Sequence, residues 1–92
     1  MPFTLSAAEV DATRGHQIAT SFCSSCHAVA PKEMHSPVAR APAFAAVAQS
    51  SATTEMSLRT FMVTTHPNMP NIRLTPDQID DVVVYILSLA NH

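Results

Sequence analysis

The chain has 92 residues, seven acidic side chains against five Lys and Arg, and a formal net charge of −2. That length is read as one domain, 1–92, near the low end for independent folding, where roughly 60–65% of the unfolded chain's surface becomes buried. The composition, 47% hydrophobic and 13% charged, excludes a disordered tract. So few basic residues leave no footprint for nucleic acid, and no apolar run reaches the roughly 18 residues of a membrane span.

Residues 1–10 read as a lead-in, partly flexible, in which Ser6-Ala7-Ala8-Glu9 fits a capping box; Asp11 is an equally good N-cap. A first helix is expected from about Asp11 to Phe22, with Ile18 and Phe22 four apart on one face. Gly15 inside it costs about 1 kcal/mol against Ala, which suggests close approach by another element. The helix runs into Cys23-Ser24-Ser25-Cys26-His27. Residues 28–43 are expected to be irregular, because Pro31, Pro37 and Pro42 interrupt helical continuity. A short Ala-rich helix follows from Ala43 to Gln49, with Phe44, Val47 and Ala48 on one side. Thr53 or Thr54 caps a third helix carrying Met56, Leu58, Phe61, Met62 and Val63, which ends by His66 because Pro67 follows. The segment His66 to Asn71 is a loop stiffened by two prolines. Thr75, Pro76 and Gln78 then supply the N-cap, first position and capping-box partner of the last helix. Asp77, Asp80 and Asp81 suit the positive end of its dipole. Ile79, Val82, Val83, Ile86 and Leu87 trace one buried stripe. No strand pattern appears, so the fold class is all-α.

The chemistry is concentrated in the Cys-x-x-Cys-His run, the attachment signature of a c-type haem. Two thiols at this spacing reach two vinyl groups and form thioethers. The adjacent His27 is then placed under the iron as proximal ligand. Three other uses of such a pair are weaker here. A zinc site needs four ligands, usually from two pairs, and there is no second Cys pair. A redox-active dithiol would sit beside a βαβ pattern, and a plain disulfide leaves His27 unexplained. One covalent haem c is therefore the expected cofactor, and it would supply apolar filling to a core with one Tyr, four Phe and no Trp. Haem attachment on the oxidising side of a bacterial membrane implies a periplasmic protein whose signal peptide has been removed, with Met1 an added start, or a domain cut from a longer chain.

From about Asp11 to Leu89 the chain resembles the small mono-haem class I cytochromes c. The features that carry the likeness are Gly15 eight residues before Cys23, Ala41-Pro42-Ala43-Phe44 with Ala in the usual Gly place, Met69-Pro70, Leu74-Thr75, and an acidic last helix containing Tyr85. The resemblance implies three to five helices wrapped around the haem, with the first and last crossing at Gly15 near Tyr85. It also implies that the Pro42 carbonyl accepts the second N–H of His27, as metal-bound histidines require.

For the iron's second axial position, Met69 sits in a rigid non-helical loop and matches the family's ligand position. Met62 is its leading rival. Met56 and Met62 have helical spacing suited to core packing, and Met34 is too near His27 in the chain. His66 is the histidine placed to replace Met69 at alkaline pH; His16, His35 and His92 read as solvated surface. Arg40, Arg59 and Arg73 are candidates to bond a haem propionate, with solvated surface an equal reading for each. With His27 and Met69 on the iron no substrate reaches it. The expected function is then electron transfer, not enzymatic catalysis, with redox proteins docking transiently at an apolar haem edge formed by Ala28, Val29, Ala30, Pro31 and Met69-Pro70. A monomer or weak dimer is expected. The alternatives are a dedicated cytochrome subunit of a larger oxidoreductase (sulfite dehydrogenase, quinoprotein dehydrogenase or nitrite reductase type) and a haem-based gas sensor.

Overall fold

The computed structural model describes residues 11–64 and 73–90. Among them are four helices and no strand: α1 (Ala12–Phe22), α2 (Phe44–Gln49), α3 (Glu55–Val63) and α4 (Pro76–Ser88). The fold is all-α, as the periodicity indicates. α4 is the hub, with α1, α2 and α3 each packed against it.

Local chemistry sets the helix starts. Asp11 caps α1 by accepting from the Thr13 N–H at 2.7 Å and the Arg14 N–H at 3.4 Å. Ser6 to Glu9, the other candidate start, lies outside the described residues. Thr54 and Ser57 form a reciprocal capping box on α3, and Thr75 and Gln78 form one on α4 behind Pro76. α3 stops at Val63, one turn short of His66.

The crossing of α1 and α4 is a backbone contact. A Cβ built on Gly15 would lie 2.0 Å from the Asp81 carbonyl oxygen and 2.7 Å from Tyr85 Cβ. The buried row of α1 is therefore Gly15 and Ala19, continued by Cys23 at the C-cap, all small; of the expected pair Ile18 and Phe22, Ile18 packs half-buried at the margin of the core. Phe22 is 46% exposed, because large side chains on the contact row would hold the helices apart. On α4, Val82, Val83, Tyr85 and Ile86 are buried. Ile79 and Leu87 pack at the margin.

Polar groups lock the same crossing. Asp81 is buried, and it accepts the Asp11 N–H at 2.9 Å and Arg14 Nε at 3.1 Å. Its role is thus more than complementing the α4 dipole. His16, expected on the surface, is half-buried and stacks on Tyr85 with ring centroids 4.8 Å apart and planes 7° from parallel. Burial raises the Tyr85 phenol above its ordinary pKa. Its hydroxyl donates to the Val29 carbonyl.

Gly15→Ala tests the crossing. Helix propensity alone favours Ala by about 1 kcal/mol. Overpacking against a backbone carbonyl costs about 3 kcal/mol and outweighs that, and denaturant unfolding of the purified protein is expected to show a net loss of about 2 kcal/mol.

Candidate functional site

The Cys-x-x-Cys-His run leaves α1 in one tight turn. The Cys23 carbonyl accepts the N–H groups of both Cys26 (3.2 Å) and His27 (2.9 Å), which folds the second thiol and the imidazole back beside the first. The turn is then pinned on several sides. Val38 N–H donates to Cys26 O at 3.1 Å, Phe44 N–H donates to Ala28 O at 2.8 Å, and Ser36 Oγ accepts the Ala28 N–H at 2.9 Å. Tyr85 reaches in from α4 to Val29, so the hub helix also holds the segment following the histidine. Ala28 and Val29 are consequently buried. This corrects the expected haem-edge surface, since of Ala28, Val29, Ala30 and Pro31 only Pro31 is exposed.

His27 Nδ1 lies 2.6 Å from the Pro42 carbonyl oxygen. A carbonyl can only accept, so Nδ1 carries the proton and Nε2 keeps its lone pair, the form that binds a metal. The Phe44 ring packs against the imidazole at 5.2 Å between centroids, tilted 48°. The two cysteines form no disulfide with each other. Before haem attachment, burial, with a smaller contribution from neighbouring Cys26, pushes the Cys23 thiol up to about 11.

Cys23, Cys26 and His27 open onto one cleft of about 320 Å³. That is within the roughly 300–1,000 Å³ range of cofactor sites. Helices α2, α3 and α4 each contribute, through Phe44, Leu58 and Ile86 among others, and Phe61 and Met62 of α3 line it as well. Among the described residues that line it, only the two cysteines and the imidazole are ionisable. The half-exposed Phe22 and Phe61 both face this cleft. An apolar slot with two thiols and a metal-ready imidazole on its wall fits a covalently held macrocycle. No group of three or more His, Cys, Asp or Glu that would suit a bare metal ion occurs among the described residues.

Residues 12–90 match the model of the family described as cytochrome c. The chain belongs to the cytochrome c family. Among curated proteins, a cytochrome c-552 of Bradyrhizobium diazoefficiens is 36% identical over 84 residues, covering 91% of this chain and 80% of the relative. No solved structure gives a significant match. This cytochrome therefore carries a covalently bound haem c and acts in electron transport with redox partners. No helix among the described residues is long and apolar enough to cross a membrane.

Other expected site residues fall differently. Met69 and His66 lie outside the described residues, as does His92. Met62 is half-buried and lines the cleft, whereas Met56, expected in the core, is 76% exposed. Arg59 is engaged with Glu55 and Asp80 rather than turned to the cleft. Arg40 and Arg73 are exposed, as is His35. The roles of Asp81 and His16 had no sequence signal beyond their spacing from Gly15 and Tyr85.

Extraction with acidified acetone tests the attachment. Colour is expected to stay with the wild-type polypeptide, and replacing both Cys23 and Cys26 by Ala releases it.

Proposed function

We propose that this cytochrome is a one-electron carrier whose haem iron is held by His27 Nε2 on one side and Met69 on the other, with Cys23 and Cys26 as the thioether anchors. The observation that carries the reading is the His27–Pro42 hydrogen bond in a cleft whose described lining, apart from Cys23, Cys26 and His27, is not ionisable. The haem supplies the ferric–ferrous couple. The chain's own part is to present a neutral imidazole in fixed orientation, exclude water with the side chains of α2, α3 and α4, and keep both axial positions filled. Holding the same ligands in both oxidation states keeps the reorganisation on electron transfer small. The Pro42 carbonyl, by accepting from Nδ1, makes the imidazole a stronger donor to the iron. A thioether sulfur on the opposite side favours the reduced state and raises the potential.

No residue of the cleft is placed as general acid, base or nucleophile, and closed axial positions leave no site for substrate; the protein works as a carrier and not as a catalyst. Among the described residues the exposed rim of the cleft is formed by Phe22, Ser25, Pro42, Ser57 and Phe61, none of them charged. That supports a small, transient docking contact with weak electrostatic steering. A periplasmic location follows from the chemistry of haem attachment, with a dehydrogenase or cytochrome complex as donor. Service as a dedicated subunit of a larger oxidoreductase uses the same site.

The ferric spectrum tests the ligand set. A weak sulfur-to-iron band in the red is expected in the wild type and absent from Met69→Ala, whose potential falls. CO binding by ferrous wild type without that band would overturn the carrier reading in favour of a sensor. Association with the physiological redox partner is expected to slow only slightly between low and high salt; a steep decline contradicts the uncharged docking rim.

A further inference from the structure

Arg59 was a candidate for a haem propionate, but its guanidinium is committed elsewhere. Nε and Nη2 each lie 3.1 Å from Glu55 Oε2 on the same helix, and Nη1 donates to Asp80 Oδ1 on α4. Both carboxylates raise the arginine above its ordinary pKa, Asp80 first. Glu55, one turn earlier on α3, holds the side chain in the orientation that meets Asp80.

The place of this pair in the fold gives it consequence. α3 packs on α4 and on neither α1 nor α2. Its one buried side chain is Leu58, with Met62 half-buried against the same core. Little apolar burial therefore secures a helix whose Leu58, Phe61 and Met62 form part of the cleft wall. The chain also leaves α3 at Val63 and enters α4 at Pro76, and Met69 lies between these points in the sequence. Arg59 is one turn before the first point and Asp80 one turn after the second. The ion pair thus ties together the two helix ends between which Met69 lies in the sequence.

We propose that Arg59, through its pair with Asp80, is a positioning residue for the methionine side of the haem: by holding α3 on α4 it sets how often the iron's sixth position becomes accessible to an outside ligand. The proposal rests on Met69 as that ligand. Loss of the pair raises the population of locally opened molecules, and with it the rate at which a competing ligand is captured. The pair is partly exposed, with Arg59 at 38% and Asp80 at 30%, so salt weakens it.

The test is the rate of imidazole binding to the ferric holoprotein, followed by loss of the sulfur-to-iron band. Arg59→Met and Asp80→Asn are each expected to bind about two- to fivefold faster than wild type, the scale of a partly exposed ion pair. The double variant is expected to be no faster than either single one, and Arg59→Lys to retain most of the wild-type rate. Raising the salt concentration speeds the wild type and leaves Arg59→Met unchanged, a comparison that needs only one folded variant. Arg14→Met, which removes the α1–α4 ion pair, serves as the control and lowers global stability without matching this gain. Wild-type rates in Arg59→Met and Asp80→Asn, or an equal gain in Arg14→Met, overturn the proposal. A sulfur-to-iron band that survives in Met69→Ala overturns the ligand assignment itself, and that outcome is read from a different protein.

Discussion

Gly15 has no room for a side chain, because α4's backbone occupies the space a Cβ would take. Much of the site depends on that contact. Since α1 can lie directly on α4, the row Gly15, Ala19, Cys23 is buried along its length, and the first thiol emerges at the end of that row in a fixed place. The tight turn after Cys23 carries Cys26 and His27 into the same cleft. Asp81 secures the beginning of α1 with two hydrogen bonds, and Tyr85, four residues on, secures the segment after His27. One helix thus holds both ends of the haem-binding strand of sequence.

The two sides of the site are held by different kinds of force. On the histidine side, backbone hydrogen bonds and buried contacts restrict the imidazole: the Pro42 carbonyl fixes the proton on Nδ1, and Phe44 packs against the ring. Such a network opens only with much of the fold. The α3 side depends on Leu58 and a partly exposed ion pair. Under the proposed His27–Met69 ligand set, that asymmetry makes the histidine side the firmly held one and concentrates sensitivity to salt on the other.

Much of this was legible in the sequence because the signals are local. The capping box at Thr75, the cap at Thr53 or Thr54, the candidate N-cap at Asp11 and the proline interruptions each depend on neighbouring residues, and α1, α3 and α4 begin behind Asp11, Thr54 and Thr75. Gly15 pointed to a close approach, although composition alone could not name Asp81 as the atom met. The misread positions depend on distant partners. Asp81 looked like a dipole-complementing surface acid, His16 a solvated histidine and Arg59 a propionate ligand; each is defined by a residue 20 or more positions away. Phe22 and Phe61 look like core residues by periodicity, yet they face the cleft, because the apolar partner they await is not part of the polypeptide. Ala28 and Val29 were misassigned to the surface for the converse reason, being drawn inward by Tyr85 and Phe44.

The central claim is that Met69 fills the iron's sixth position in the carrier state. The chain has five methionines, and labelling their methyl groups with carbon-13 distinguishes them in the ferrous, diamagnetic protein. A methyl held over the haem face experiences the macrocycle's ring current and moves far upfield of the others. The account predicts one such signal, missing from Met69→Ala and retained in Met62→Leu. An upfield methyl that persists without Met69 and disappears with Met62, or no shifted methyl at all, would contradict it.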